Sequence, residues 1–163
     1  KSYCGQCSIT SNALIFSNYF IIPVYPDYFA DAGLHILCQQ IDDVWTDIGH
    51  HSNDDLELLG IIITRIKGGA LLEPGKRVLF ERRLKELQRD PNIKNKKIFA
   101  EAEVFEPYFN DSVEVARSID EFKPTIYHRT SYSPIKKYIR RMNTFTDAVV
   151  KKVAKRFPRL KTP

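Results

Sequence analysis

Two short apolar runs mark the chain, and neither alternates apolar and polar residues as a half-exposed strand does. They are Tyr19–Val24 (YFIIPV) and Leu58–Thr64 (LLGIIIT). Continuous runs of this length are typical of parallel strands that helices cover on both faces. Pro23 cannot donate to a strand ladder, so we expect it near the end of the first strand or at a bulge. A third strand is predicted within residues 96–105 (KKIFAEAEVF).

Apolar residues at three- and four-residue steps predict a helix between the two apolar runs. It extends from about Tyr28 to Trp45, with Asp27 as its N-cap. Cys38 lies one step off its apolar stripe and is expected to be packed. The apolar positions of this helix are Phe29, Gly33, Ile36, Leu37, Ile41, Val44 and Trp45.

Two further helices are predicted on either side of these elements. The first is a short helix within residues 8–18 (SITSNALIFSN), capped by Ser8 or Thr10. The second is an amphipathic helix over residues 75–90. The side chains expected to face inward from it are Val78, Leu79, Leu84 and Leu87.

Strands separated by helices of ten or more residues indicate βαβ crossovers, so the sequence predicts an α/β fold with a mainly parallel sheet and flanking helices. One domain over residues 1–163 is the simplest organisation. No run approaches the roughly 18 apolar residues that cross a bilayer, and no leader follows the first Lys. The three cysteines do not imply a disulfide scaffold, so we expect a cytoplasmic protein.

The final segment is a basic amphipathic helix, predicted over Pro134–Phe157. Residues 134–163 carry ten Lys or Arg and one acid, a net +9, whereas the whole chain carries +5, which leaves −4 for the remainder. This asymmetry favours a polyanionic partner, nucleic acid or anionic lipid, although a solvated helix face has the same pattern. The residues predicted to contact DNA phosphates are Lys136, Lys137, Arg140, Arg141, Lys151, Lys152, Lys155 and Arg156.

The order of short motifs along residues 12–65 matches a known family. These motifs are Asn12-Ala13-Leu14, Ile22-Pro23-Val24, Phe29-Ala30, Gly33-Leu34 and Leu59-Gly60-Ile61 to Thr64-Arg65. In this order they resemble the C-terminal half of the ParA/Soj partition ATPases, which are related to MinD. The resemblance is strong over residues 12–65 and weak after residue 105.

The resemblance implies a doubly wound P-loop sheet that binds ATP and Mg²⁺ and dimerises around the nucleotide. It implies non-specific DNA binding, and stimulation of hydrolysis by a ParB-like centromere-binding protein, in plasmid or chromosome partition. Thr64 and Arg65 match the strand end that lies near the adenine in this family. Asn110 stands where the family usually has a proline that packs on the base.

The catalytic parts of the family are missing from this sequence. Phosphoryl transfer needs a phosphate-binding loop and Mg²⁺ ligands, and neither Lys-Gly-Gly-x-x-Lys-Thr nor Asp-x-Pro-Pro occurs here. The stretch KGGALLEPGK has no Ser or Thr after Lys76, and Pro74 is expected to interrupt the start of the following helix. We therefore expect an N-terminally incomplete P-loop-type sheet that does not hydrolyse ATP by itself and has no metal site of its own.

The residues leave two other interpretations of the function open. The chain is alternatively a ParA-derived, non-enzymatic module that binds DNA or a protein. Cys4 and Cys7 form a Cys-x-x-Cys pair that resembles a thioredoxin-type redox unit. Together with His50 and His51 they could also supply four zinc ligands, but this spacing matches no standard zinc site. His128 is assigned no role.

Overall fold

The computed structural model of the chain describes residues 5–48, 56–67, 72–111 and 133–156. Helices and strands alternate along these ranges. In chain order they are α1 (Gly5–Ile15), β1 (Tyr19–Val24), α2 (Tyr28–Ile48), β2 (Glu57–Ile63), α3 (Pro74–Arg89), a 3₁₀ turn (Lys96–Ile98), β3 (Glu103–Val104) and α4 (Ser133–Arg156).

The three strands form a small, open, parallel sheet in the order β1-β2-β3, flanked by helices. In the β2–β3 pair, Gly60 lies opposite Glu103 and Ile61 opposite Val104. Helix α2 connects the first two strands and α3 connects the second and third, as parallel neighbours require. The predicted α/β class with a parallel sheet is therefore confirmed.

The chain divides into two compact units. One comprises residues 1–22, 27–61 and 74–104, and the other comprises residues 23–26, 62–73 and 105–163. The first unit holds α1, α2, α3 and β3 together with most of β1 and β2. The second holds the carboxyl ends of β1 and β2, the segment that follows β3, and α4.

The apolar runs form strands nearly where the sequence places them. From Leu58 to Ile63 every residue of β2 is buried, as expected for a central parallel strand. Strand β1 lies at the edge of the sheet, and Pro23 is an exposed residue next to its end. An edge position explains how the strand accommodates a residue that has no N–H to donate.

Helix α2 turns a different apolar stripe inward from the one predicted. Its buried apolar residues are Leu34, Cys38, Ile41 and Trp45, so only Ile41 and Trp45 of the predicted set are buried. Phe29, Ile36 and Leu37 are exposed, as is Gly33. Both stripes have helical spacing, and periodicity alone does not decide between them. The Asp27 N-cap is confirmed, because its carboxylate accepts the Ala30 N–H at 2.6 Å.

The starts of two other helices also differ from the predictions. Helix α1 already begins at Gly5, so Ser8 and Thr10 lie inside it and do not cap it. Helix α3 begins at Pro74, which starts the helix rather than interrupting it. Proline suits the first helical position, because the N–H it lacks has no partner there in any helix. Within α3, Leu84 and Leu87 are buried as predicted, whereas Val78 is exposed and Phe80, outside the predicted set, is buried.

The third strand is shorter than predicted. Only Glu103–Val104 forms it, and Lys96–Ile98 is a 3₁₀ turn. A side chain explains the difference, since the Gln88 amide donates to the carbonyls of Phe99 at 2.9 Å and Ala102 at 3.2 Å. These carbonyls are bound by a glutamine rather than by a neighbouring strand.

A buried carboxylate ties α2 to the segment before the 3₁₀ turn. Asp42 is 2% exposed. Its oxygens accept the backbone N–H of Lys94 at 2.9 Å and of Asn95 at 2.8 Å, and the Asn95 side-chain amide at 2.9 Å. Three donors offset the desolvation of this charge. Asp42 is therefore a structural residue of the first unit.

Candidate functional site

The carboxyl ends of β1 and β2 lie side by side in the second unit. Both the backbone N–H and the hydroxyl of Thr64 donate to the Val24 carbonyl, at 2.8 and 3.2 Å. Beyond β3 the chain follows β2 in parallel, because Phe109 donates to the Ile63 carbonyl at 2.9 Å and Ile66 forms a bridge with Asn110. Ligands of open parallel sheets bind outside the carboxyl ends of the strands, so this edge is the first candidate for a small-molecule site.

Arg65 is the residue of this edge that is most available to a ligand. Its side chain is 73% exposed, and its φ of 59° lies in the left-handed region that non-glycine residues seldom adopt. The guanidinium lies 3.6 Å from the Asp111 carboxylate and 5.8 Å from the centre of the Tyr25 ring. The edge therefore presents a cation, an aromatic ring and a carboxylate together.

The side chains at this edge can be compared with what the parts of a nucleotide require. Thr64, Arg65 and Tyr25 supply hydrogen-bonding and stacking groups that suit a base or ribose. A magnesium triphosphate needs clustered oxygen ligands and a run of backbone amides, and among the described residues no group of three or more His, Cys, Asp or Glu side chains is gathered. The described part of this edge therefore offers a cation, a hydroxyl and an aromatic ring, without a gathered set of metal-capable side chains among the described residues.

Asn110 links the β2 end to α4. Its side-chain oxygen accepts a hydrogen bond from the Arg141 guanidinium, and its amide donates to the Lys67 carbonyl at 3.5 Å. Arg141 also lies over the Tyr108 ring, 4.0 Å from its centre. Where the resemblance expects an apolar base-packing proline, this chain has a polar junction.

Aromatic rings hold α4 within the second unit. Phe145 packs edge-on against Phe105 at 5.1 Å and against Phe109 at 6.0 Å, and Tyr138 lies 5.3 Å from Phe109. Burial raises the pKa of the Tyr138 hydroxyl. Tyr138 and Phe145 are seven residues apart, two turns along one helix face, which explains why the predicted apolar stripe attaches the helix.

The basic residues of α4 separate into two groups by environment. Five have exposed side chains, whereas Arg141 and Lys152 are half-buried against aromatic rings, Lys152 lying 5.9 Å from the centre of Phe105. The side chain of Arg156 lies outside the described residues. The five exposed basic residues, here called the basic face, are Lys136, Lys137, Arg140, Lys151 and Lys155.

The basic face consists of two clusters of positive charge on one side of α4, Lys136, Lys137 and Arg140 near its start and Lys151 and Lys155 near its end. About 16 Å of helix separates Arg140 from Lys151, at a rise of about 1.5 Å per residue. At 3.6 residues per turn its five side chains point into about one third of the helix circumference. From Lys136 to Lys155 this side of the helix is about 28 Å long, at a rise of about 1.5 Å per residue. Asp147, the one acidic residue within α4, is exposed and lies between the two clusters on the same side of the helix. An array of this kind contacts phosphates without reading base edges.

The sequence did not reveal two features of this region. The side chains of Tyr25 and Tyr108 contact Arg65 and Arg141, respectively, and neither tyrosine belongs to a recognisable motif. The spacing of Tyr138 and Phe145 indicated that α4 docks through one face, but their partners lie 29 and 40 residues earlier in the chain.

Some predicted site residues lie outside the described part of the chain. They are Cys4, His50 and His51, together with the side chain of Cys7; His128, which was assigned no role, also lies outside the described residues. Cys38 is a buried free thiol. Within the described ranges, no helix is long and apolar enough to span a bilayer.

Comparison of the chain with known protein families, with curated proteins and with solved structures finds no match. The interpretation of function therefore depends on the residues, their geometry and the motif order of residues 12–65.

Proposed function

We propose that this chain is the C-terminal portion of a ParA-like partition ATPase, and that its own contribution is non-specific binding of DNA through the basic face of α4. The observation that carries the proposal is the exposure of five Lys and Arg side chains, in two clusters, on one side of α4. Contacts of this type release counterions from DNA and give salt-sensitive affinity without sequence preference.

The sheet supports the second part of the proposal, a base-side role for the carboxyl ends of β1 and β2. Thr64 and Arg65 match the adenine-side position of the family, and they lie at an edge where parallel sheets bind ligands. ATP and Mg²⁺ would need the phosphate loop and acidic strand of the complete protein. Dimerisation and stimulation by a ParB-like protein belong to the same complete assembly.

Charge reversal tests the DNA-binding role directly. Lys136→Glu combined with Arg140→Glu removes two phosphate contacts and adds repulsion, so we expect at least about tenfold weaker binding to a fluorescent duplex of arbitrary sequence at moderate salt. The matched control is Arg82→Glu combined with Lys85→Glu, which reverses two exposed basic residues of α3. Equal affinity for the wild type and the α4 variant would exclude the proposed interface.

The non-enzymatic module is favoured by one observation at the sheet edge. The Thr64 hydroxyl already donates to Val24, and Arg65 is already paired with Asp111. DNA affinity of the longest form of the protein, measured with and without ATP and Mg²⁺, separates the two functions. An ATPase subunit binds DNA more tightly with nucleotide, whereas the module binds equally in both conditions.

A further inference from the structure

The basic residues of α4 differ in their neighbours, and this difference assigns them different roles. We infer that Arg141 does not contact phosphate but is a positioning residue that docks α4 so that the basic face is presented to DNA. The inference rests on the proposed DNA-binding function. It separates the predicted contact residues into those that contact phosphate and one that positions the helix.

Two contacts fix the Arg141 guanidinium within the second unit. It donates to the Asn110 side-chain oxygen and lies 4.0 Å from the centre of the Tyr108 ring. Asn110 is itself held, since its amide donates to the Lys67 carbonyl. A guanidinium that stacks on a ring and donates to a fixed amide has a defined orientation, which a phosphate contact would have to disrupt.

The position of Arg141 along the helix agrees with this role. Tyr138 and Phe145, three residues before it and four residues after it, pack on the same segment that supplies Tyr108 and Asn110. Arg141 therefore stands at the border between the docked aromatic stripe and the basic face. Its neighbour Arg140 is exposed and belongs to the basic face.

A comparison of lysine and glutamine variants separates docking from phosphate contact. Arg141→Lys keeps the charge but loses the planar stacking and the hydrogen-bonding geometry, whereas Arg141→Gln loses the charge. For a docking residue, both variants weaken DNA binding by about three- to tenfold, and both leave the slope of log affinity against log salt unchanged. Tyr108→Ala, which carries no charge, should produce the same loss.

The matched control is Arg140, the neighbouring residue of the basic face. Arg140→Gln should make the salt slope shallower by about 0.9, as one lost phosphate contact does. A shallower salt slope for Arg141→Gln, with an unchanged slope for Arg140→Gln, would show that the inference is wrong.

Amide hydrogen exchange tests the docking role of Arg141 in the absence of DNA. Arg141→Lys should speed exchange across residues 137–145 and 108–111, whereas Arg140→Lys should leave the exchange of both segments unchanged. Asn110→Asp preserves an acceptor for Arg141 and should retain slow exchange in α4. Absence of DNA binding by the wild type would overturn the proposed function, and unchanged exchange in Arg141→Lys would overturn the docking role.

Discussion

Helices α3 and α4 are both amphipathic, but they are attached by different kinds of contact. Helix α3 buries Phe80, Leu84 and Leu87 almost completely. In α4 none of the described side chains is fully buried, and the helix is held by edge-on and tilted ring contacts and by cations lying over rings. The two helices therefore differ in how deeply their attaching side chains are buried: α3 is anchored by fully buried apolar side chains, whereas the groups that attach α4 remain partly accessible.

Removal of a large core side chain should have the largest effect on stability. Phe80 is 1% exposed, so Phe80→Ala leaves a cavity and should lower the free energy of unfolding by about 3–5 kcal/mol. Val78→Ala, on the exposed side of the same helix, should change it by less than about 0.5 kcal/mol. Urea denaturation measures both, and equal losses would contradict the assigned orientation of α3.

Loss of the buried carboxylate should be the next largest effect. Asp42→Ala leaves the N–H groups of Lys94 and Asn95 without their acceptor, so we expect a loss of about 2–3 kcal/mol. Asp43→Ala is the matched control, because Asp43 is the exposed neighbour on the same helix. Thermal or chemical unfolding that does not distinguish the two variants would mean that Asp42 is not a structural clamp.

The thiol of Cys38 should make stability depend on pH in the alkaline range. Burial raises its pKa from 9.0 to about 12. Above pH 9.0 the unfolded chain loses this proton and the folded chain keeps it, so stability falls as pH rises toward 12, by up to about 1.4 kcal/mol per pH unit. The Cys38→Ala variant should lack this component, and unfolding curves at a series of pH values measure the difference.

Alkylation of Cys38 tests the burial of this thiol without a substitution at that position. In a Cys4→Ser, Cys7→Ser background, Cys38 should resist alkylation in the folded chain and react after unfolding, since a neutral buried thiol is a poor nucleophile. Rapid alkylation of the folded chain would contradict the buried environment. Retained DNA binding by this double variant would also dismiss the redox interpretation.

The smallest effect is expected at Arg65. Glycine adopts positive φ without steric cost, so Arg65→Gly should raise stability by about 0.5–1 kcal/mol, while the lost exposed pair with Asp111 offsets a few tenths of this gain. Arg65→Ala keeps the strain and should not gain stability. If nucleotide binds at this edge, both variants should weaken binding in the longest form of the protein. Stabilisation by Ala equal to that by Gly would contradict the assigned backbone conformation.

Local features of the fold were predictable because short-range rules determine them. The apolar runs of β1 and β2, the Asp27 cap and the approximate extent of α4 follow from residue types and spacing. The inward face of α2 was not predictable, since Phe29, Ile36 and Leu37 have the same periodicity as the buried stripe.

The contacts that define the sites are long-range, and the sequence pattern carries no signal for them. Asp42 and Asn95 are 53 positions apart, and Asn110 and Arg141 are 31 apart. The charge of α4 was evident from the sequence, whereas its division into exposed residues and residues held against rings depends on where Tyr108 and Phe105 lie.

The salt dependence of DNA binding by the wild-type chain tests the central claim most directly. Five phosphate contacts from the basic face predict that log affinity falls against log salt with a slope near −4.5, the same for duplexes of unrelated sequence. A slope shallower than about −1, or a strong preference for one sequence, would contradict binding through the basic face of α4.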